Sequence, residues 1–206
     1  GVCIQLAVMA HHFFKGLRDA CFPLQCVGCR REGELWCVSC RAGFLCRSEQ
    51  HCPSCEVTTP YGRPCHRHDD GVLDGAVAAA WYANPHIRRL IEAWKYHGIR
   101  EAEPHIESVI AQWVNQTSPV PTAPWVVVPL SLHPMKRRQR GFDQAVVLAA
   151  MVGYELGVPV RDDLLERTRF VFTPQAKIKK RDQREQRGLR RLFRVTLSNV
   201  PSHIIL

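Results

Sequence analysis

No apolar run in this 206-residue chain approaches the ~18 residues a membrane-crossing helix needs, so no transmembrane helix is expected. Cysteine stops at Cys65: nine of the ten lie between Cys3 and Cys55, and nothing after Cys65 adds another. Acidic residues are few, 19 against 28 Lys and Arg, and the resulting net charge of +9 favours an anionic partner, either nucleic acid or a phosphorylated small molecule. Neither a Walker A nor a G-x-G-x-x-G pattern accompanies the basic segments. No Ser/His/Asp grouping and no cysteine with its own base is recognisable. An initiating methionine is lacking too, so the natural terminus is expected to lie elsewhere. The apolar opening Val2–Ala10 has no basic segment before it and reads as a short helix, a signal peptide being the alternative.

What is present suffices for a folded protein. Hydrophobic residues make up 46% of the chain, enough for a core, and the length suits one domain plus a small module. The crowding of cysteine into the first third fits a metal-binding module on a reduced, cytoplasmic protein better than a disulfide scaffold. Cys26-x2-Cys29 and Cys37-x2-Cys40 are separated by seven residues. Each pair forms a knuckle that turns two thiolates toward one ion, and two knuckles complete a tetrahedral zinc site. Two local disulfides are the alternative. Cys52-x2-Cys55 and Cys65-x2-His68 repeat the pattern across nine residues, with His66 as a rival ligand and a degenerate, metal-free repeat as the other reading. Cys3, Cys21 and Cys46 fall outside both quartets and read as packing residues. Four protein ligands leave no position for water, so the metal's expected role is folding.

The expected organisation is an N-terminal helix over 1–20, a double zinc ribbon over 21–70 and an α/β domain over 71–206. Within the last, 77–82 reads as a strand. Asn84-Pro85 opens a helix through Ile87, Leu90, Ile91 and Trp94 that Gly98 ends, and Pro104 opens another through Ile106, Val109, Ile110 and Trp113. Trp94 and Trp113 read as core, with base stacking as the alternative. A β-branched run, Val126-Val127-Val128, then ends at Pro129. The basic loop Lys136-Arg137-Arg138-Gln139-Arg140-Gly141 follows, and a helix runs from Asp143 to Leu156. A strand emptying into a cationic loop and a helix is how α/β proteins build anion sites, so Lys136, Arg137, Arg138, Arg140 and Gly141 are the phosphate-binding candidates. A solvated basic face is the alternative. Val158–Val160 and 202–206 read as further strands, and 164–169 begins another segment that ends in Thr173-Pro174-Gln175. The tract from Lys177 to Arg194 reads as a basic flap or a nucleic-acid patch.

Taken together, the cysteine knuckles, Trp94-Lys95-Tyr96-His97-Gly98, Val128-Pro129-Leu130, Arg138-Gln139-Arg140-Gly141-Phe142-Asp143-Gln144, Thr173-Pro174-Gln175 and the basic segment ending at Phe193 resemble the ComF family. That family comprises competence-related, phosphoribosyltransferase-like proteins. The resemblance runs from about Cys21 to Leu206 and is most specific at the R-x-R-G-F-x-Q block. It implies a double zinc ribbon on a type I phosphoribosyltransferase-like domain, a cytoplasmic location, and a role in DNA uptake or, by family naming, in gluconate-linked metabolism. Implied partners are single-stranded DNA or proteins of the uptake machinery. Pyrophosphate would sit along 129–140, and Gln175 would lie in the flexible loop that closes over it.

The chain departs from the family pattern at Asp143 and Gly188, where asparagine is usual, and at His68, where cysteine is usual. The family's acidic-acidic-Thr-Thr-Gly loop, which holds phosphoribosyl pyrophosphate and Mg²⁺, would begin after Leu206. The chain is therefore expected to be a fragment whose phosphoribosyltransferase-like domain is incomplete and which is inactive in transfer. The competing expectation is a non-enzymatic zinc-ribbon module that binds single-stranded DNA.

Overall fold

The computed structural model describes residues 23–55, 57–68, 73–117, 124–169, 192–196 and 201–206. The expected helix over 1–20, Cys3, Cys21, Gln175, Gly188 and nearly all of the basic tract after Lys177 lie outside the described residues. The chain divides into two compact units, 1–106 and 107–206, and mixes helices with short strands.

In the first unit two knuckles are built to one plan. Gln25 bridges Glu32 in antiparallel fashion, and Cys26 N–H donates to the Arg31 carbonyl at 2.9 Å. Likewise His51 bridges Thr58, and Cys52 N–H donates to the Val57 carbonyl at 2.9 Å. Helix α1, Val38–Ala42, carries Cys40 of the first ribbon's second pair, with Cys37 at its N-cap. Trp36, 1% exposed, fills the space beneath it with Phe44 edge-on at 5.3 Å.

Helix α2, Pro85–His97, starts where the sequence said it would. The Asn84 side chain accepts from the N–H groups of His86 and Ile87, Pro85 pre-sets the first turn, and Gly98 closes the helix in a left-handed conformation. Ile87, Leu90, Ala93 and Trp94 form its buried face. Arg89 donates to the Val27 carbonyl at 2.8 Å, tying α2 to the first knuckle. Trp94 is 1% exposed and donates its indole N–H to Glu103 at 3.0 Å, while Trp113 on helix α3, Glu103–Thr117, is buried as well. Neither ring offers a face for base stacking.

Residues 77–82 are not a strand. Their backbone is instead held by a side chain: Ala78 N–H donates to Gln50 Oε1 at 2.9 Å, and Gln50 Nε2 donates to the Ala78 carbonyl at 3.1 Å. Arg47 N–H adds a bond to the Ala79 carbonyl at 2.9 Å. The buried Gln50 does the work of a neighbouring strand, and the run of alanines has no β-branched side chains to favour a ladder.

In the second unit strand β1, Trp125–Val127, lies between two parallel neighbours. On one side it pairs with β4, His203–Ile205. On the other, Val127 N–H donates to the Pro159 carbonyl at 2.9 Å, and Arg161 N–H donates to the Val127 carbonyl at 2.8 Å, so the expected strand at Val158–Val160 is reduced to a bridge. Strands β2, Leu165–Arg167, and β3, Phe193–Val195, form an antiparallel pair.

The basic segment after β1 is not a loop. It is helix α4, Pro134–Arg140, opened by the His133 ring accepting from Met135 N–H and closed by Gly141 at φ 79°. Helix α5, Gln144–Leu156, follows and packs against β1. Gly153 allows that approach to the 158–160 segment, because a Cβ there would lie 2.7 Å from the Val160 side chain.

Candidate metal centres and the basic junction

The ligating atoms of Cys26, Cys29, Cys37 and Cys40 all lie within 4.8 Å of one another, as do those of Cys52, Cys55, Cys65 and His68. Sulfur separations in the first group are 3.6 Å for Cys26–Cys37 and 3.8 Å for Cys29–Cys37. In the second, Cys55 and Cys65 are 3.8 Å apart. A disulfide needs ~2.05 Å, whereas the edge of a tetrahedron with Zn–S bonds of ~2.3 Å is about 3.8 Å. The thiols thus stand at the corners of a tetrahedron that could hold a metal ion and are not bonded to each other. The fourth corner of the second site is His68 Nδ1, 3.2 Å from Cys65 Sγ and 3.7 Å from Cys52 Sγ, and His66 takes no part.

Backbone amides prepare one thiolate in each group. Gly28 and Cys37 N–H groups point at Cys26 Sγ, each at 3.4 Å, and Cys65 N–H points at Cys52 Sγ at 3.4 Å. Burial opposes ionisation of Cys26, but the amides of Cys37, Cys29 and Gly28 outweigh it and bring its pKa down to about 6. For Cys52 the Cys65 amide is the main influence, and its pKa is also about 6. Cys40, hydrogen-bonded first of all to Cys37 and then desolvated, is pushed up to about 12. Each quartet therefore offers one ready thiolate, and the remaining thiols ionise as metal binds. Both donor sets, four thiolates and three thiolates with an imidazole, fit zinc in a closed structural site.

Gly28 is required by this geometry. A Cβ on it would stand 2.6 Å from Cys40 Sγ and 3.3 Å from His86 Nε2.

At the carboxyl end of β1 the candidate phosphate ligands divide. Lys136 and Arg140, one turn apart on α4, are half-buried, while Arg137 and Arg138 are exposed. Gly141 serves as the left-handed cap of α4, its N–H donating to the Arg137 carbonyl at 2.9 Å. Asp143 is 6% exposed; its Oδ1 accepts from Ala145 N–H at 3.0 Å, capping α5, and its Oδ2 accepts from Leu132 N–H at 2.7 Å. Two backbone donors thus absorb the negative charge that looked out of place beside an anion site. Gln144, 3% exposed, accepts from Arg140 Nη1 at 2.7 Å.

Sequence reasoning singled out Arg140 as a ligand candidate but not the buried Gln144 side chain that accepts from it.

Among the described residues no helix is long and apolar enough to cross a membrane. Comparison with family models, with curated proteins and with solved structures found no match to this chain.

Proposed function

We propose that this chain is a ComF-type, phosphoribosyltransferase-like protein: a double zinc ribbon joined to an α/β unit that binds phosphate-bearing ligands in support of DNA uptake. One observation carries the reading. The chain leaves β1 toward Val160 on one side and returns through β4 on the other, with the cations of α4 just beyond the carboxyl end of β1. A point where strand order diverges opens a crevice outside the carboxyl ends, where α/β proteins receive phosphorylated ligands. Zinc in both quartets supplies folding energy to a segment with too little core of its own.

Calorimetric titration of the zinc-loaded chain with inorganic pyrophosphate tests this. Saturable binding that inorganic phosphate competes away is expected. Absence of heat at millimolar ligand sinks the reading.

A second reading, a module for single-stranded DNA, has support at Trp81. Its ring is 52% exposed beside an exposed Tyr82, and the Arg47 guanidinium lies over it at 3.6 Å, a combination suited to stacking with bases. Trp81→Ala should then weaken oligonucleotide binding without altering pyrophosphate affinity, and binding should fall steeply with salt. Oligonucleotide affinity indifferent to both removes this reading.

A further inference from the structure

The two quartets share one plan but differ in exposure. All four corners of the first are sulfur: Cys29 is exposed, Cys37 and Cys40 are half-buried, and Cys26 is buried. In the second, Cys52 and Cys65 are buried, Cys55 is half-buried, and the fourth corner is the His68 imidazole. Sulfur spacing does not separate them, because Cys29–Cys37 and Cys55–Cys65 are both 3.8 Å apart. Access does. A dissolved oxidant reaches Cys29 directly, whereas the second quartet presents no exposed cysteine.

Oxidation of a thiolate to a disulfide needs an open sulfur and a second sulfur close enough to resolve it. Cys29 has both, since Cys37 Sγ stands 3.8 Å away at the N-cap of α1 and is itself only half-buried. A disulfide forms at ~2.05 Å, so a short side-chain movement joins the two. Cys26 Sγ is the poorer partner: it is buried and receives the N–H groups of Gly28 and Cys37, each at 3.4 Å. In the second quartet the sulfur beside Cys55 belongs to Cys65, which is 8% exposed, and the His68 corner has no sulfur to oxidise.

We propose that Cys29 is an oxidation site at which a hydroperoxide joins it to Cys37 as a disulfide, dismantling the first metal centre while the second is kept. This rests on the zinc reading of both quartets. Cys29 Sγ, as thiolate, attacks one oxygen of the peroxide; an S–O bond forms as the O–O bond breaks, and the departing hydroxide is protonated to water. The Cys37 thiolate then attacks Cys29 Sγ, forming the S–S bond as the S–O bond breaks, and a second hydroxide leaves as water. The two sulfurs together lose two electrons and the peroxide gains them. Only Cys26 and Cys40 then remain to ligate, too few for a closed structural site. A thiol reductant reverses the disulfide by exchange and restores the four-sulfur set.

The test adds hydrogen peroxide to the full, zinc-loaded chain, with a chromogenic chelator at a concentration that strips neither ion without peroxide. One zinc per chain is expected to leave about tenfold faster than the other, and peptide mass spectrometry should find Cys29 bonded to Cys37. A thiol reductant with added zinc should then rebuild the two-ion protein. Cys55→Ser, which keeps only the first centre, should release its ion at the fast rate, and Cys29→Ser, which keeps only the second, at the slow one. No release from the parent, loss of both ions at one rate, or equal rates in the two variants overturns the proposal and leaves the zinc reading intact. Release accompanied by a disulfide that lacks Cys29 overturns it as well. A parent that holds no zinc removes the metal reading and this one with it. The parent's own release and disulfide map decide the matter even where a variant fails to fold.

Discussion

Asp143 Oδ2 accepts the Leu132 N–H at 2.7 Å and thereby pins the turn after β1 to the N-cap of α5. Its other oxygen caps α5 through Ala145 N–H at 3.0 Å. One buried carboxylate thus fixes both ends of the α4 excursion. Asp143→Ala strips two backbone donors at once, and unfolding by urea should report a loss of about 2–3 kcal/mol. Asp143→Asn keeps a single acceptor and should lose less. Equal stability of the parent and Asp143→Ala would show that the turn is held by other contacts.

Zinc stoichiometry should drop by one unit at a time. Cys29 contributes only to the first quartet and Cys55 only to the second. Cys29→Ser is expected to leave one zinc per chain, and Cys55→Ser likewise. Elemental analysis of protein purified without chelator checks both. Retention of two zinc ions by either variant would mean that the altered cysteine is no ligand.

Acid should release the metal. A group whose pKa is lowered in the folded chain favours that state above the lowered value and ceases to do so as pH falls through it. Cys26 and Cys52, each brought from 9.0 to about 6, are thiolates at neutral pH and take up protons below about 6. Zinc retention is therefore expected to be level above pH 7 and to fall steeply below pH 6, read by a chromogenic chelator. Cys40, at about 12, binds metal only by giving up its proton, so zinc uptake near pH 7 should acidify a weakly buffered solution. Uptake without proton release would contradict the thiol assignment.

Much of the first unit was legible because metal ligation is written in short spacings. Eight candidate ligands follow from four local pairs, and the repeat extends to the backbone, where Cys26 and Cys52 each donate five residues ahead. The ends of α2 were legible at Asn84 and Gly98 for the same reason, since caps are local chemistry.

Failures of sequence reading came where partners are distant. Residues 77–82 are held at Ala78 by Gln50, a side chain from the middle of the ribbon segment, and no local pattern announces that. The division of the four cations into half-buried Lys136 and Arg140 and exposed Arg137 and Arg138 depends on α4 being a helix, which Pro134 and Gly141 permit but a run of charge disguises.

Two glycines with the same backbone conformation separate strain from collision. Gly62 and Gly98 have φ of 65° and 66°, where any other residue pays a left-handed penalty of about 1 kcal/mol. Around Gly98 nothing stands within 4 Å of an added Cβ. At Gly62 that Cβ would fall 2.0 Å from the Ala76 carbonyl oxygen, inside the backbone whose N–H donates to Gly62 at 3.0 Å. Gly98→Ala should therefore show the conformational penalty alone, about 1 kcal/mol in urea unfolding. Gly62→Ala must also push 76–78 away from the second ribbon and weaken the Gln50 clamp, so its loss should be clearly larger. It should also hasten zinc transfer to a chelator, whereas Gly98→Ala leaves that rate unchanged. Equal losses for the two would mean that the 76–78 segment moves aside freely and does not brace the second metal centre.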